Sequence, residues 1–262
     1  MPKISEEIQI NSSLCKTIYQ YPELGSTNNL AREFLEKDKR MGFSIVAKTQ
    51  TAGQGSDGRF WESPFGGLWS SLAIQPQINL HQLGIVPILS SIGIAKALET
   101  FNIPIMLKWP NDLLFQNNRK KIGGILVEGK VTQFTLHYLI IGFGINVNNT
   151  RDQFSAVLRN KVTSTLIETD TKLDLIDLLK SIINQIEKRF EILKLKGVIP
   201  IIEEWKLHPN ILGMDVIVTN KDEKVRGKVI DISSFGQLIL NAQNNEEMTI
   251  STGTVTLLDN DD

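Results

Sequence analysis

The chain is poor in cysteine and histidine and carries no excess charge of either sign. A single cysteine, Cys15, excludes an internal disulfide and fits a reducing compartment, so a cytoplasmic location is expected. In its unremarkable setting, NSSLCKTI, it reads as structural rather than as a nucleophile. The three histidines, His81, His137 and His208, are scattered without ligand spacing, which argues against a metal site built from His and Cys. With 28 Lys and Arg against 29 Asp and Glu, the formal net charge is -1. That balance points to no nucleic-acid partner and no anionic membrane. No stretch approaches the ~20 apolar residues of a membrane span. The start, MPKISEEIQI, lacks the basic head and apolar run of a signal peptide. Neither a GxxxxGK[ST] loop nor a GxGxxG following a strand is present, so the common nucleotide fingerprints do not apply. There is no internal repeat and no low-complexity tract.

What remains is an ordinary globular balance, 41% hydrophobic and 22% charged over 262 residues, enough for one large domain with a small appendage. STNNLAREFLEKD (26–38) reads as a helix capped by Ser26 or Thr27, with Leu30, Phe34 and Leu35 as its apolar face. FSIVAKT (43–49) and GLWSSLAIQ (67–75) read as strands. Residues 80–101 read as a long helix through Ile88, Ile92, Ala95 and Leu98. IMLKWPNDLLF (105–115) is a strand entering a break at Pro110. KIGGILVEGKV (121–131) and TLHYLIIGFGINVNN (135–149) are strands joined by a short turn, the second apolar on both faces and therefore central. Residues 173–195 form an amphipathic helix that carries core packing. From Met214 onward the pattern becomes short alternating strands with turns at Asn220–Lys224, Ser233–Gly236 and Asn244–Glu247. A mixed domain over 1–208, a small β domain over 209–262 and a frayed acidic DNDD end are expected.

Three segments carry candidate chemistry. In TAGQGSDGRFW (51–61), Gly53, Gly55 and Gly58 let backbone amides approach a ligand, Arg59 adds a cation, and Phe60 and Trp61 offer apolar cover. These residues suit a loop closing over a partly anionic, partly apolar molecule, though taken alone they favour a mobile surface loop. KWPNDLLFQNNRKKIGGILVEG (108–129) puts Asn111 and Asp112 at a strand end and Lys120 and Lys121 before the pair Gly123 and Gly124. It reads as a site, or as a surface hairpin with a basic turn. In IGFGINVNN (141–149), Gly142 and Gly144 interrupt a central strand, as happens where a ligand comes close or a helix packs tightly. Asn146 and Asn148 fall on one face by strand period.

Taken together, STN (26–28), GQGSDGRFW (53–61), KWPND (108–112), KIGGILVEG (121–129) and GFGIN (142–146) resemble the biotin protein ligase family. The family pattern is an S-T-N helix start, G-R-G-R-x-G-R-x-W, K-W-P-N-D, K-[IL]-x-G-[IV]-L-[VI]-E and G-x-G-[IL]-N. The resemblance covers about residues 20–208 and is taken to continue into the C-terminal β domain. It implies an α+β fold: a mixed, largely antiparallel sheet backed by helices, like a class II aminoacyl-tRNA synthetase, followed by a small SH3-like β-barrel. The implied reaction joins biotin to ATP as biotinyl-5′-AMP, with Mg²⁺ on the phosphates, then passes biotin to a lysine of a biotin carboxyl carrier protein.

Matched motif by motif, the resemblance implies that Ser26, Thr27, Asn28, Gln50, Gly53 and Gln54 hold biotin, with Trp61 over its chain. Gly124 and Gly142 would give close backbone approach there. Lys121 would bridge the biotin carboxylate and the α-phosphate. Asn111 and Asn146 would read adenine, and Gln54, Ser56 and Arg59 would meet phosphate. Asp112 would orient or deprotonate the acceptor lysine, making Lys121, Asp112 and Arg59 the catalytic set.

Two departures stand out. Gln54 and Ser56 occupy positions where the family has arginine, and Asp57 adds a negative charge. An enzyme that is active but holds its adenylate less tightly is expected. Some members carry a helix-turn-helix repressor domain; only 25 residues precede STN, so no operator binding is expected. Family members are monomers or dimers, so a homodimer stays open. Two other readings are a lipoate–protein ligase or octanoyltransferase, and a non-catalytic biotin or nucleotide sensor.

Overall fold

The computed structural model describes residues 2–38, 40–221, 223–242 and 246–258. The elements run β1 (Glu6–Gln9), β2 (Thr17–Leu24), α1 (Thr27–Glu33), β3 (Phe43–Gln50), β4 (Leu68–Ile74), α2 (Val86–Glu99), β5 (Ile105–Lys108), β6 (Asp112–Phe115), β7 (Lys121–Thr132) and β8 (Thr135–Ile145). They continue as α3 (Thr165–Thr169), α4 (Leu175–Lys196), α5 (Ile199–Leu207), β9 (Asp215–Asn220), β10 (Glu223–Ile232), β11 (Leu238–Ala242), β12 (Glu247–Ile250) and β13 (Thr254–Leu257). Eight strands form one sheet in the order β1-β2-β3-β4-β8-β7-β6-β5. Only β2 and β3 pair in parallel; the other neighbours are antiparallel. The expected mixed, largely antiparallel sheet with helices is therefore observed.

The period of two along each strand sorts side chains onto two faces. One face buries Leu72, Ile141, Phe143 and Ile145 with the apolar stripes of α2 and α4. Each such side chain contributes about 1.5–3 kcal/mol relative to exposure. The other face packs Ile45, Ala47, Ala73 and Ile140 under Leu30, Ala31 and Phe34 at the α1 end. In register on that face, Ser71 stands opposite Gly142, Leu126 opposite Gly142, and Gly124 opposite Gly144. Small residues there leave the sheet open beyond α1, and the cavity lies in that opening.

Several elements depart from their expected bounds. The helix expected over 80–101 is a 3₁₀ turn, Leu80–Ile85, followed by α2, because Pro87 is suited to a first helical turn and not to an interior. Leu80–Glu99 does meet the length and mean hydropathy (1.3) of a membrane span, contrary to the sequence expectation. It is the core helix, with Ile88, Leu89, Ile92 and Ala95 buried against the sheet and α4. The helix at 26–38 ends as a π-helical turn, Phe34–Asp38. Ser26 is its N-cap, yet its hydroxyl makes no capping bond among the described residues. Asn146 and Asn148 lie past the end of β8, so strand period does not relate them.

The last five strands form a second antiparallel sheet, β12-β11-β10-β9-β13. It docks on the KWPND segment. Trp109 donates Nε1 to Gly236 O at 2.8 Å, Lys108 donates Nζ to Val255 O at 3.1 Å, and Leu107 N reaches Pro209 O at 2.8 Å. Gly84 meets Phe235 O so closely that an added β-carbon would collide. The DNDD end and part of the Asn244–Glu247 turn lie outside the described residues.

Candidate active site

A cavity of about 250 Å³ opens on the α1 face of the large sheet. Ser26, Thr27, Asn28, Gln50, Gln54, Ser56, Arg59, Trp61, Asn111, Asp112, Lys121, Gly124, Gly142 and Asn146 all line it. Residues spread over 120 positions of sequence are thus brought together. Gly53 lies outside the lining: a β-carbon there would meet Trp61 O at 2.5 Å and Ser63 Oγ at 2.7 Å, so its bareness serves the loop's own packing.

One end of the cavity is polar and uncharged. Gln50 is extended from the last residue of β3, and its Oε1 accepts from Thr27 N (2.8 Å) and Thr27 Oγ1 (3.1 Å). Its Nε2 donates to Ser63 Oγ at 2.9 Å. Ser71 Oγ, fully buried on β4, reaches Thr27 Oγ1 at 2.7 Å and also Asn28 Oδ1. The bareness of Gly142 makes room for that amide, since an added β-carbon would collide with Asn28 Oδ1.

The other end is ionic. Asp112 Oδ1 pairs with Lys121 Nζ at 2.6 Å, and Oδ2 with Lys108 Nζ at 2.8 Å. Burial pushes the Asp112 carboxyl up, but Lys121 and Lys108 outweigh it and hold it below its ordinary 3.8. Lys121 Nζ also stands 5.0 Å from the Trp61 ring centroid, a cation–π geometry. Trp61 lies on two bare strand positions. A β-carbon on Gly144 would fall 2.6 Å from Trp61 Nε1, and one on Gly124 would fall 3.4 Å from Trp61 Cζ3. That Nε1 is buried without a hydrogen-bond partner among the described residues.

The glycine-rich loop folds on itself. Gly55 N bonds Arg59 O (2.7 Å) and Trp61 N bonds Gly53 O (2.9 Å), around a 3₁₀ turn, Ser56–Gly58, in which Asp57 has φ 57°. Arg59 is spent inside this turn: Nη2 donates to Ser56 Oγ at 2.7 Å, Nε to Ser56 O at 3.1 Å, and Asp57 lies 3.5 Å away. Its side chain is 58% exposed, so these contacts are weak holds on it. The two asparagines are anchored by backbone. Asn111 Nδ2 donates to Ile125 O at 2.6 Å and Asn146 Nδ2 to Thr163 O at 2.9 Å.

Phe154, Leu158 and Val162 complete an apolar wall that the sequence reading missed. Their spacing of four residues in a polar stretch was the available signal. Glu62 ties this wall to the loop by accepting from Ser155 N at 3.1 Å. Among the described residues no group of three or more His, Cys, Asp and Glu converges. The one carboxylate between the lysines, Asp112, is already paired twice, so these residues do not fit a protein-held metal ion.

Comparison with known proteins agrees with this architecture. The Biotin/lipoate A/B protein ligase family pattern matches residues 22–146, and the Biotin protein ligase C terminal domain pattern matches residues 211–258. The bifunctional ligase/repressor BirA of Bacillus spizizenii is 32% identical over 228 residues, covering 86% of this chain and 69% of the relative. That of Escherichia coli is 29% identical, over 84% and 67%. Among solved structures, the biotin protein ligase of Aquifex aeolicus in complex with biotin and ATP superposes with a TM-score of 0.77 at 28% identity, over 92% of this chain and 98% of that one. The mixed sheet and the appended β sheet are thus those of a ligase. The chain belongs to the biotin protein ligase family.

Proposed function

We propose that this ligase joins biotin to a lysine of a biotin carboxyl carrier protein in the reducing cytosol. Residues 1–208 would carry the chemistry and residues 209–262 would brace it. In the first step an oxygen of the biotin carboxylate attacks the α-phosphorus of ATP and pyrophosphate leaves. In the second, the carrier amine attacks the acyl carbon of biotinyl-5′-AMP, AMP leaves, and the amine loses its proton. The observation that carries the reading is one cavity with an uncharged polar end at Thr27, Asn28 and Gln50 and a cation, Lys121, at its ionic end.

Two anions must meet for the first step, and a preorganised ammonium stabilises the charge they develop. Lys121 is suited to that, moving from Asp112 to the carboxylate and α-phosphate. Asp112 is a weak base because two ammonium groups face it, so we assign it to orienting the acceptor amine rather than deprotonating it. Asn111 and Asn146 would meet adenine, Gln54, Ser56 and Arg59 the phosphates, and Trp61 would cover the biotin chain. Mg²⁺ would arrive with ATP on the phosphates.

Lipoate is the second reading. Its dithiolane offers no amide to hydrogen-bond the polar end at Thr27, Asn28 and Gln50, and a site built to hydrogen-bond rejects such an analogue strongly. Incubating the protein and ATP with biotin or lipoate, with and without a carrier domain, separates the readings. Pyrophosphate release and covalent transfer with biotin are expected, with lipoate slower by roughly 10²-fold or more. Release without transfer to any carrier would favour a sensor, and no release with biotin would overturn the proposal.

A further inference from the structure

Glu128 lies on β7 beyond the cavity wall, yet both of its oxygens serve the cavity's polar end. Oε2 accepts from Asn28 Nδ2 at 2.6 Å and Oε1 from Arg32 Nη2 at 2.6 Å. The first bond decides which way the Asn28 amide faces: with Nδ2 on Glu128, Oδ1 must point to Ser71. Ser71 has one proton for Asn28 Oδ1 and Thr27 Oγ1, and Thr27 Oγ1 passes its own to Gln50 Oε1. Gln50 Nε2 then faces Ser63. The donor and acceptor sense is thus fixed from Arg32 through Glu128 and Asn28 to Ser71, whose single proton is shared between Asn28 Oδ1 and Thr27 Oγ1. The network is shielded from solvent, because Asn28 is 5% exposed and Ser71 is fully buried.

We infer that Glu128 is a positioning residue that sets the hydrogen-bonding pattern of the biotin end through Asn28, without touching the ligand. The inference rests on the biotin reading above. A carboxylate alone can accept from both neighbours. A glutamine at this position has one acceptor oxygen, and the charged guanidinium of Arg32 claims it. The new amide nitrogen would then face Asn28 Nδ2, donor against donor, and force the Asn28 amide to turn.

The test is a double-mutant cycle of Glu128→Gln, Asn28→Asp and both together. KM for biotin and for ATP, kcat and melting temperature are measured for each. Glu128→Gln should raise KM for biotin about tenfold, leaving KM for ATP and kcat near the wild-type values. Asn28→Asp alone sets a carboxylate against Glu128 and should be worse. In the double variant the introduced carboxylate accepts from both the introduced amide and Ser71, so KM for biotin should fall below that of either single variant without regaining the wild-type value, because Asn28 itself faces the ligand. Equal rises in both KM values, an unchanged Glu128→Gln, or a double variant no better than the single ones would overturn the inference. A wild-type protein inactive with biotin would instead overturn the function on which it rests.

Discussion

Lys121 Nζ lies 2.6 Å from Asp112 Oδ1, so the cavity's cation is held by a carboxylate that incoming anions must displace. Asp112 keeps Lys108 when Lys121 lets go. Replacing Lys121 by Ala should therefore lower the rate of adenylate formation by about 10²–10³-fold with little change in melting temperature. Asp112→Asn leaves two ammonium groups without their counter-charge and should destabilise the fold by up to about 3 kcal/mol. Single-turnover kinetics and thermal melts check the two halves.

The loop's arginine is the next case. Arg59 is tied to Ser56, and Gln54 and Ser56 bring no charge. Replacing both by Arg, Gln54→Arg with Ser56→Arg, removes the hydroxyl that Arg59 Nη2 donates to and adds two cations. Each recovered charge–phosphate hydrogen bond is worth about 1.5–3 kcal/mol, so leakage of free biotinyl-5′-AMP should fall at least tenfold. Leakage equal to the parent would show that neutral donors already suffice.

Trp61 rests on Gly144, where an added methyl would fall 2.6 Å from its Nε1. Gly144→Ala should lift the indole off the strand, alter tryptophan fluorescence in the absence of ligand, and raise KM for biotin. Melting temperature should hardly move, because what shifts is a loop on the surface of the core. A variant that melts early with unchanged KM would contradict this.

Stability should fall on the acid side through His208, at the C-terminal end of α5. Burial pushes its ring below the ordinary 6.5, against the pull of Glu99 at 2.8 Å. The unfolded chain therefore takes up the proton first. The stabilising contribution is whole above about 6.5 and is lost as pH falls from there through the folded value. His208→Gln should flatten the dependence of the urea midpoint between pH 7 and 5, whereas a parallel curve would sink the assignment.

Period and punctuation made much of the fold legible: β3, β4, β7, β8 and α4 lie where the apolar patterns placed them. β2 escaped because Pro22 breaks its alternation. Pro22 is tolerated since it lies beyond the β1 pairing, which covers Thr17–Gln20, and at the position skipped in the register with β3. At the site, motif residues were legible one by one, but their pairings were not. Ser71, Lys108 and Glu128 act across strands, and no local spacing links Glu128 to Asn28 a hundred residues away. Gly142 and Gly144 announced a close approach without saying whose, and the neighbours prove to be Asn28 and Trp61.

Exchange of labelled pyrophosphate into ATP, with no carrier present, tests adenylate formation most directly. Exchange that requires biotin and is abolished in Lys121→Ala is the expected result. No exchange with biotin, or equal exchange without it, would contradict the assignment.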